Sequence, residues 1–250
     1  MKTSGKIAGL LCLATSLATM PAHTTPVTYS ASSGGLAGKA VFDLSGTTLS
    51  ITLSSLNTVN SDNSDVLTAL LFHLGNGTLT PTIESDSTIL NGSTLVGNIP
   101  SGSYSVGGNW AYQKPLGAVV ASDPSANAGI STSGLSGLFS SGGNNGPSGV
   151  FGTPGANLDG PAFGLINATG NLPSSQPFIY NSLVFKLTVS GSFDLSQISD
   201  VAFAYGTTPE SVVVVTTDSP PPTPDGGSTL ALLGCAFAGV GAVGRRFRKA

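Results

Sequence analysis

Residues 181–189 read Asn-Ser-Leu-Val-Phe-Lys-Leu-Thr-Val, and their alternation decides the fold class. Leu183, Phe185, Leu187 and Val189 fall on one face of an extended chain, with Lys186 and Thr188 on the other, because successive side chains of a strand point to opposite sides. A segment patterned this way belongs to an antiparallel sheet with one dry face and one wet face.

The same pattern recurs along the chain. In 48–53, Leu49, Ile51 and Leu53 alternate with Thr48, Ser50 and Thr52, and in 201–205 Val201, Phe203 and Tyr205 share one side. Segments 66–74 and 212–215 are apolar almost throughout, which predicts central strands or strands covered on both faces. Weaker strands are predicted at 40–44, 103–106, 110–112, 118–121 and 162–166. No long segment keeps a helical period, and Gly, Ser, Thr and Asn separate the runs. The fold class is therefore all-β: a single antiparallel β-sandwich, with jelly-roll-like connections as a variant. Residues 129–170 interrupt the rhythm with dense Gly, Ser and Asn around isolated Phe139, Phe151 and Phe163. They predict long loops, partly ordered, each pinned by a single ring that is costly to leave in water.

Composition narrows the function. Both cysteines, Cys12 and Cys235, lie in apolar ends, so the 195 residues of 23–217 contain none and the body relies on its core alone. A domain of that length buries roughly 70% of its unfolded surface. Its cations are Lys39, Lys114 and Lys186 against ten acidic residues, a net charge of −7, and it has no arginine. Phosphate binding needs clustered Arg and Lys, so nucleic acid is excluded as a partner.

The two ends read as targeting segments. Residues 1–22 have the form of a secretory signal helix, with Lys2 and Lys6 before an apolar run at 7–14 and small residues after it. Residues 218–227 are a Pro-rich spacer and motif, in which 220–223 form a stiff neck. Residues 228–250 predict a transmembrane helix with a basic tail. Its apolar stretch, 230–244, spans about 22 Å as a helix against a hydrocarbon core of about 30 Å, a gap that bilayer thinning or snorkelling closes. Arg245, Arg246, Arg248 and Lys249 hold the end of the chain in the cytoplasm and place the body across the membrane.

Thr223, Pro224, Asp225, Gly226, Gly227 and Ser228, followed by that apolar run and basic cluster, resemble the tripartite PEP-CTERM class of sorting signals in its Val-Pro-Asp-Ser-Gly variant. Thr223 stands where that class usually has Val, and Gly226 where it often has Ser. The resemblance implies processing by an exosortase, an intramembrane cysteine protease-like transpeptidase, and release or attachment outside a Gram-negative-type cell. The body resembles a domain of exosortase-dependent surface proteins through 65–72, 108–112, 128–131 with 134–135, 183–185 and 205–207, which implies a surface protein and brings no activity with it. An ordinary C-terminal membrane anchor is the competing interpretation of the tail.

Few residues in the body suggest chemistry. Tyr104, Trp110 and Tyr112 are the one aromatic concentration and form a candidate glycan-stacking face, although rings in a sandwich more often fill its core. Asp62, Asn63 and Asp65 make an oxygen-rich turn, a calcium candidate without the spacing or glycine of an EF-hand loop; the alternative is a turn bonded to its own backbone. His73 fits a strand-end histidine bonded to backbone. Glu84 and Asp86, at i and i+2, are the nearest carboxylate pair a glycosidase could use. No G-x-S-x-G elbow is present, and His and Cys are too few for a tetrahedral metal site. No cofactor is implied. The leading expectation is a non-enzymatic exported protein of the cell surface or extracellular matrix. A carbohydrate-binding surface module is the alternative, and a glycan hydrolase comes third.

Overall fold

The computed structural model describes residues 24–58, 61–81, 88–89, 93–99, 106–117, 124–139, 151, 158, 160–167, 176–208 and 212–214. The chain opens with β1 (Val27–Ser33), β2 (Leu36–Ser45), β3 (Thr48–Ser55), β4 (Leu67–Leu74) and β5 (Thr78–Pro81). Short strands follow: β6 (Thr88–Ile89), β7 (Thr94–Val96), β8 (Ala111–Gln113), β9 (Ala128–Ser131), β10 (Leu165–Ile166) and β11 (Phe178–Tyr180). The last three are β12 (Ser182–Ser190), β13 (Ile198–Tyr205) and β14 (Val212–Val214).

Two sheets face each other, one of them a curled half-barrel, so the sandwich description holds loosely. The first runs β1-β2-β3-β12-β5, with β6 also on β12; the second runs β14-β13-β4-β10-β11-β7, with β9 on β4 and β8 on β9. The chain crosses between the sheets from β3 to β4, returns from β4 to β5, crosses again from β6 to β7, returns from β11 to β12 and crosses once more to β13. The two strand pairs β3–β12 and β4–β13 are antiparallel. They bring the predicted segments 48–53 and 181–189 into register at Leu53–Leu183, Ile51–Phe185 and Leu49–Leu187. One pairing departs from the antiparallel expectation: β10 and β11 run parallel. Eleven residues separate them, room for a crossover that a tight hairpin would not give.

The main core lies between the sheets, where the inward residues of β2, β3 and β12 meet Leu67, Leu70, Phe72, Val201, Phe203 and Tyr205 of the second sheet. Phe42 meets Phe72 edge-on at 5.8 Å, and Tyr29 meets Phe42 edge-on at 5.7 Å. The Tyr29 hydroxyl crosses the sandwich to donate to the Ile198 carbonyl at 2.7 Å.

The second sheet is buried on its outer side as well, as the continuous apolar run at 66–74 requires. Ala69, Leu71, Ala202 and Ala204 face outward there and are covered by Ala126, Leu135, Leu138 and Phe139. The Gly- and Ser-rich segment thus supplies a third layer. Phe139 anchors that layer, while Phe151 and Phe163 reach the main core. In β13, Asp200 takes a positive φ of 47° where two residues oppose one of β4, and this bulge lets Ile198 and Val201 both face inward.

Several sequence expectations fall outside the described residues: the helices at 1–22 and 228–250, the strand at 118–121 and all but residue 106 of the one at 103–106. The expected strand at 162–166 contracts to β10, and that at 110–112 shifts by one residue to β8. Among the described residues no helix is long and apolar enough to cross a membrane.

Candidate functional site

Trp110 follows a 3-10 turn, Val106–Asn109, that closes when its amide donates to the Gly107 carbonyl at 3.1 Å. The turn drives the indole inward, where Nε1 donates to the Phe163 carbonyl at 3.2 Å and the ring meets Phe185 edge-on at 5.1 Å. Phe151 packs on the same Phe185 ring at 5.0 Å, and its amide donates to the Trp110 carbonyl at 3.2 Å. Trp110 is fully buried and Tyr112 only 5% exposed. A ring enclosed on both faces has none left to stack on a sugar. The aromatic concentration is core, and the glycan-stacking face built on Trp110 and Tyr112 is corrected accordingly; Tyr104 lies outside the described residues.

The turn at 62–65 also turns inward on itself. Asp62 caps a 3-10 turn, Asn63–Asp65: its Oδ1 accepts from the Ser64 amide at 2.7 Å and from the Ser64 hydroxyl. Asp65 Oδ2 accepts from the Ser61 amide at 2.6 Å, the Ser61 hydroxyl at 2.9 Å and the Asp62 amide at 3.2 Å. The hydrogen bonds from the Ser64 hydroxyl and amide hold the Asp62 carboxyl below its usual range. Both carboxylates therefore serve a capping box. Among the described residues no three His, Cys, Asp or Glu side chains gather as metal ligands.

His73 is half-buried in β4, its Nδ1 3.0 Å from the Ser125 carbonyl, which fixes the proton on that nitrogen. This is the backbone-bonded strand histidine that the sequence suggests. Glu84 and Asp86 lie outside the described residues.

Two features escape the sequence. Lys114 Nζ donates to three main-chain carbonyls, those of Leu74 at 3.3 Å, Gly75 at 2.9 Å and Gly77 at 3.1 Å. Asn127 clamps Leu74 from the other side, accepting from its amide at 2.8 Å and donating to its carbonyl at 3.0 Å. A lone lysine in a cation-poor body is the only hint of this. The second feature is a pair of enclosed phenols: the hydroxyls of Tyr112 and Tyr205 are buried without a hydrogen-bond partner among the described residues, and burial pushes both phenols above their ordinary ionisation range.

Within the described body, then, the polar candidates are engaged in structural bonds, and the functional signal lies in the C-terminal segment. Residues 224–247 match the VPDSG-CTERM motif. This is a PEP-CTERM-like C-terminal sorting signal, and it supports export of the protein to the surface or envelope of a bacterial cell. VPDSG-CTERM covers Pro224, Asp225, Gly226, Gly227 and Ser228 together with Arg245 and Arg246, while Thr223, Arg248 and Lys249 flank the match. No curated protein and no solved structure matches the chain.

Proposed function

We propose that this protein is a non-enzymatic component of the cell envelope or extracellular matrix, secreted with its C-terminal segment held in the membrane and then processed at 224–228 by an exosortase-like transpeptidase. The VPDSG-CTERM match carries this reading. It is supported by the body, where Asp62, Asp65 and His73 bond to their own backbone surroundings. The deciding experiment is the intact mass of the protein recovered from the surface and medium of the producing cell. The expected chain ends within 225–227 or carries an added group there. A chain still ending at Ala250 in the membrane fraction would make the tail a plain anchor.

The glycan-binding alternative now has a different seat. On the outer face of the first sheet, Ser45, Thr48, Thr188 and Thr80 stand in one cross-strand row over β2, β3, β12 and β5, all exposed. Neighbouring strands are about 4.8 Å apart, so the row presents hydroxyls at regular intervals to a neutral polymer. A polysaccharide pull-down that is lost in a Thr48→Val, Thr188→Val double variant of unchanged melting temperature supports this reading, and retention would end it.

A further inference from the structure

The connection from β4 to β5 carries an Asn-Gly pair, Asn76-Gly77, between Gly75 and Thr78. This dipeptide is chemically labile. The main-chain nitrogen of the glycine, with no side chain to shield it, can attack the asparagine Cγ. The Cγ–Nδ2 bond then breaks, ammonia leaves and a five-membered succinimide forms. Water opens that ring at either carbonyl to give aspartate or isoaspartate. The net change replaces an amide NH2 by OH, with water as the only co-reactant.

Asn76 is exposed, so water reaches it. Glycine is imposed at position 77 by packing, since a β-carbon there would stand 2.4 Å from Phe193 Cδ2. The attacking nitrogen, however, is engaged: the Gly77 amide donates to Gln197 Oε1 at 2.9 Å. The Gln197 amide group is oriented for this, because its Nε2 donates to the Ser192 carbonyl at 2.9 Å. Its main chain is fixed as well, in the 3-10 turn Leu195–Gln197, where the Gln197 carbonyl accepts from the Gly75 amide at 3.0 Å. On either side of Asn76, the carbonyls of Gly75 and Gly77 are held by Lys114 Nζ at 2.9 Å and 3.1 Å. Ring closure requires the Gly77 nitrogen to lose its proton and swing toward the Asn76 Cγ. The first move breaks the bond to Gln197, and the second pulls against Lys114.

We propose that Asn76 is a self-modifying site held in check by Gln197. Deamidation is suppressed while the Gly77 amide stays on Gln197 Oε1, and it begins when the 192–197 segment lets go. The consequence is lasting. Isoaspartate lengthens the main chain by one atom between the two carbonyls that hold Lys114 and adds a negative charge there, so the β4–β5 connection does not return to its first geometry. The inference is independent of the sorting segment.

The test incubates the full chain in mildly alkaline buffer and follows the gain of about one dalton at Asn76 by peptide mapping, which separates it from the Asn-Gly pairs at 91–92 and 145–146. Gln197→Met keeps the side-chain length without the acceptor and is expected to deamidate about fivefold faster than wild type, the factor that one net hydrogen bond commands. Gln197→Glu keeps an acceptor, and its charge disfavours the attacking amide anion, so it should stay as slow as wild type. A Gln197→Met protein of native melting temperature and wild-type rate overturns the proposal. Should that variant not fold, the wild type decides alone: its Gly77 amide should be protected from hydrogen exchange, and Asn76 should react faster in concentrated urea than in buffer. An unprotected amide, or equal rates in the two solvents, overturns it as well.

Discussion

Gly129 lies directly against Phe139. A β-carbon at position 129 would stand 3.0 Å from the Phe139 Cζ, and 2.9 Å from both the Leu70 carbonyl oxygen and a Leu71 methyl. The close approach lets the third layer settle on the outer face of the second sheet, where Leu71 and Phe139 share a cluster. One of the opposing atoms is backbone and cannot swing aside. Gly129→Ala is therefore expected to cost about 1–3 kcal/mol through overpacking, a fall of several degrees in melting temperature for a domain this size. Thermal unfolding followed by circular dichroism checks it, and an unchanged midpoint would mean that the layer is not held as described.

Trp110 is the largest fully buried side chain, and it supports both Phe163, through its Nε1 hydrogen bond, and Phe185, through ring contact. Truncation should open a large cavity. Trp110→Ala is expected to destabilise by about 3–5 kcal/mol, whereas Trp110→Phe should cost less because part of the ring volume survives. Chemical denaturation of the isolated variants measures both. A Trp110→Ala protein of native stability would return the indole to the surface and reopen the stacking face.

The strand core was legible in the sequence because alternation survives any detail of connection: Leu49, Ile51, Leu53, Leu183, Phe185 and Leu187 all face inward as their spacing demands. The continuous run at 66–74 pointed to a central strand or one covered on both faces, and it could not say that a Gly-rich segment supplies the second cover. Trp110 was harder. Its facing is set by a 3-10 turn rather than by strand parity, and Gly107 and Gly108 carry no periodic signal. The parallel pairing of β10 and β11 was invisible, since each strand is only two or three residues long. The sorting segment was the reverse case, readable from order and composition alone, and only the match over 224–247 bears on it.

The enclosed phenols of Tyr112 and Tyr205 make two linked predictions. A buried hydroxyl without a partner costs about 1–3 kcal/mol, so Tyr112→Phe and Tyr205→Phe should each be neutral or slightly stabilising. Burial also raises both phenol pKa values in the folded state, while the unfolded chain ionises near pH 10. Above that pH the unfolded state holds fewer protons than the folded one. Stability is then full below about pH 10 and falls by about 1.4 kcal/mol per pH unit for each tyrosine as the pH rises. Tyr29 is also raised, by burial and by Asp200, so denaturation midpoints above about pH 10 should drop steeply in the wild type and less steeply in either single variant. An equal slope in the Phe variants would assign the alkaline loss to other groups.

Asp62 predicts the behaviour in acid and toward calcium. Its carboxylate is held below the usual range by the Ser64 hydroxyl and amide, so the capping box contributes above the unfolded pKa of an aspartate and is lost as pH falls through the lower folded value. Asp62→Asn keeps an acceptor for the Ser64 amide while removing the charge. It should leave melting at neutral pH close to that of wild type, whereas Asp62→Ala should lower the melting temperature by removing the cap. Because Asp62 Oδ1 and Asp65 Oδ2 already accept hydrogen bonds from their own turn, millimolar calcium should not raise the melting temperature over that in chelator. A calcium-dependent rise that disappears in Asp62→Asn would show that the turn reopens to bind the ion, and the capping-box account of these carboxylates would have to be abandoned.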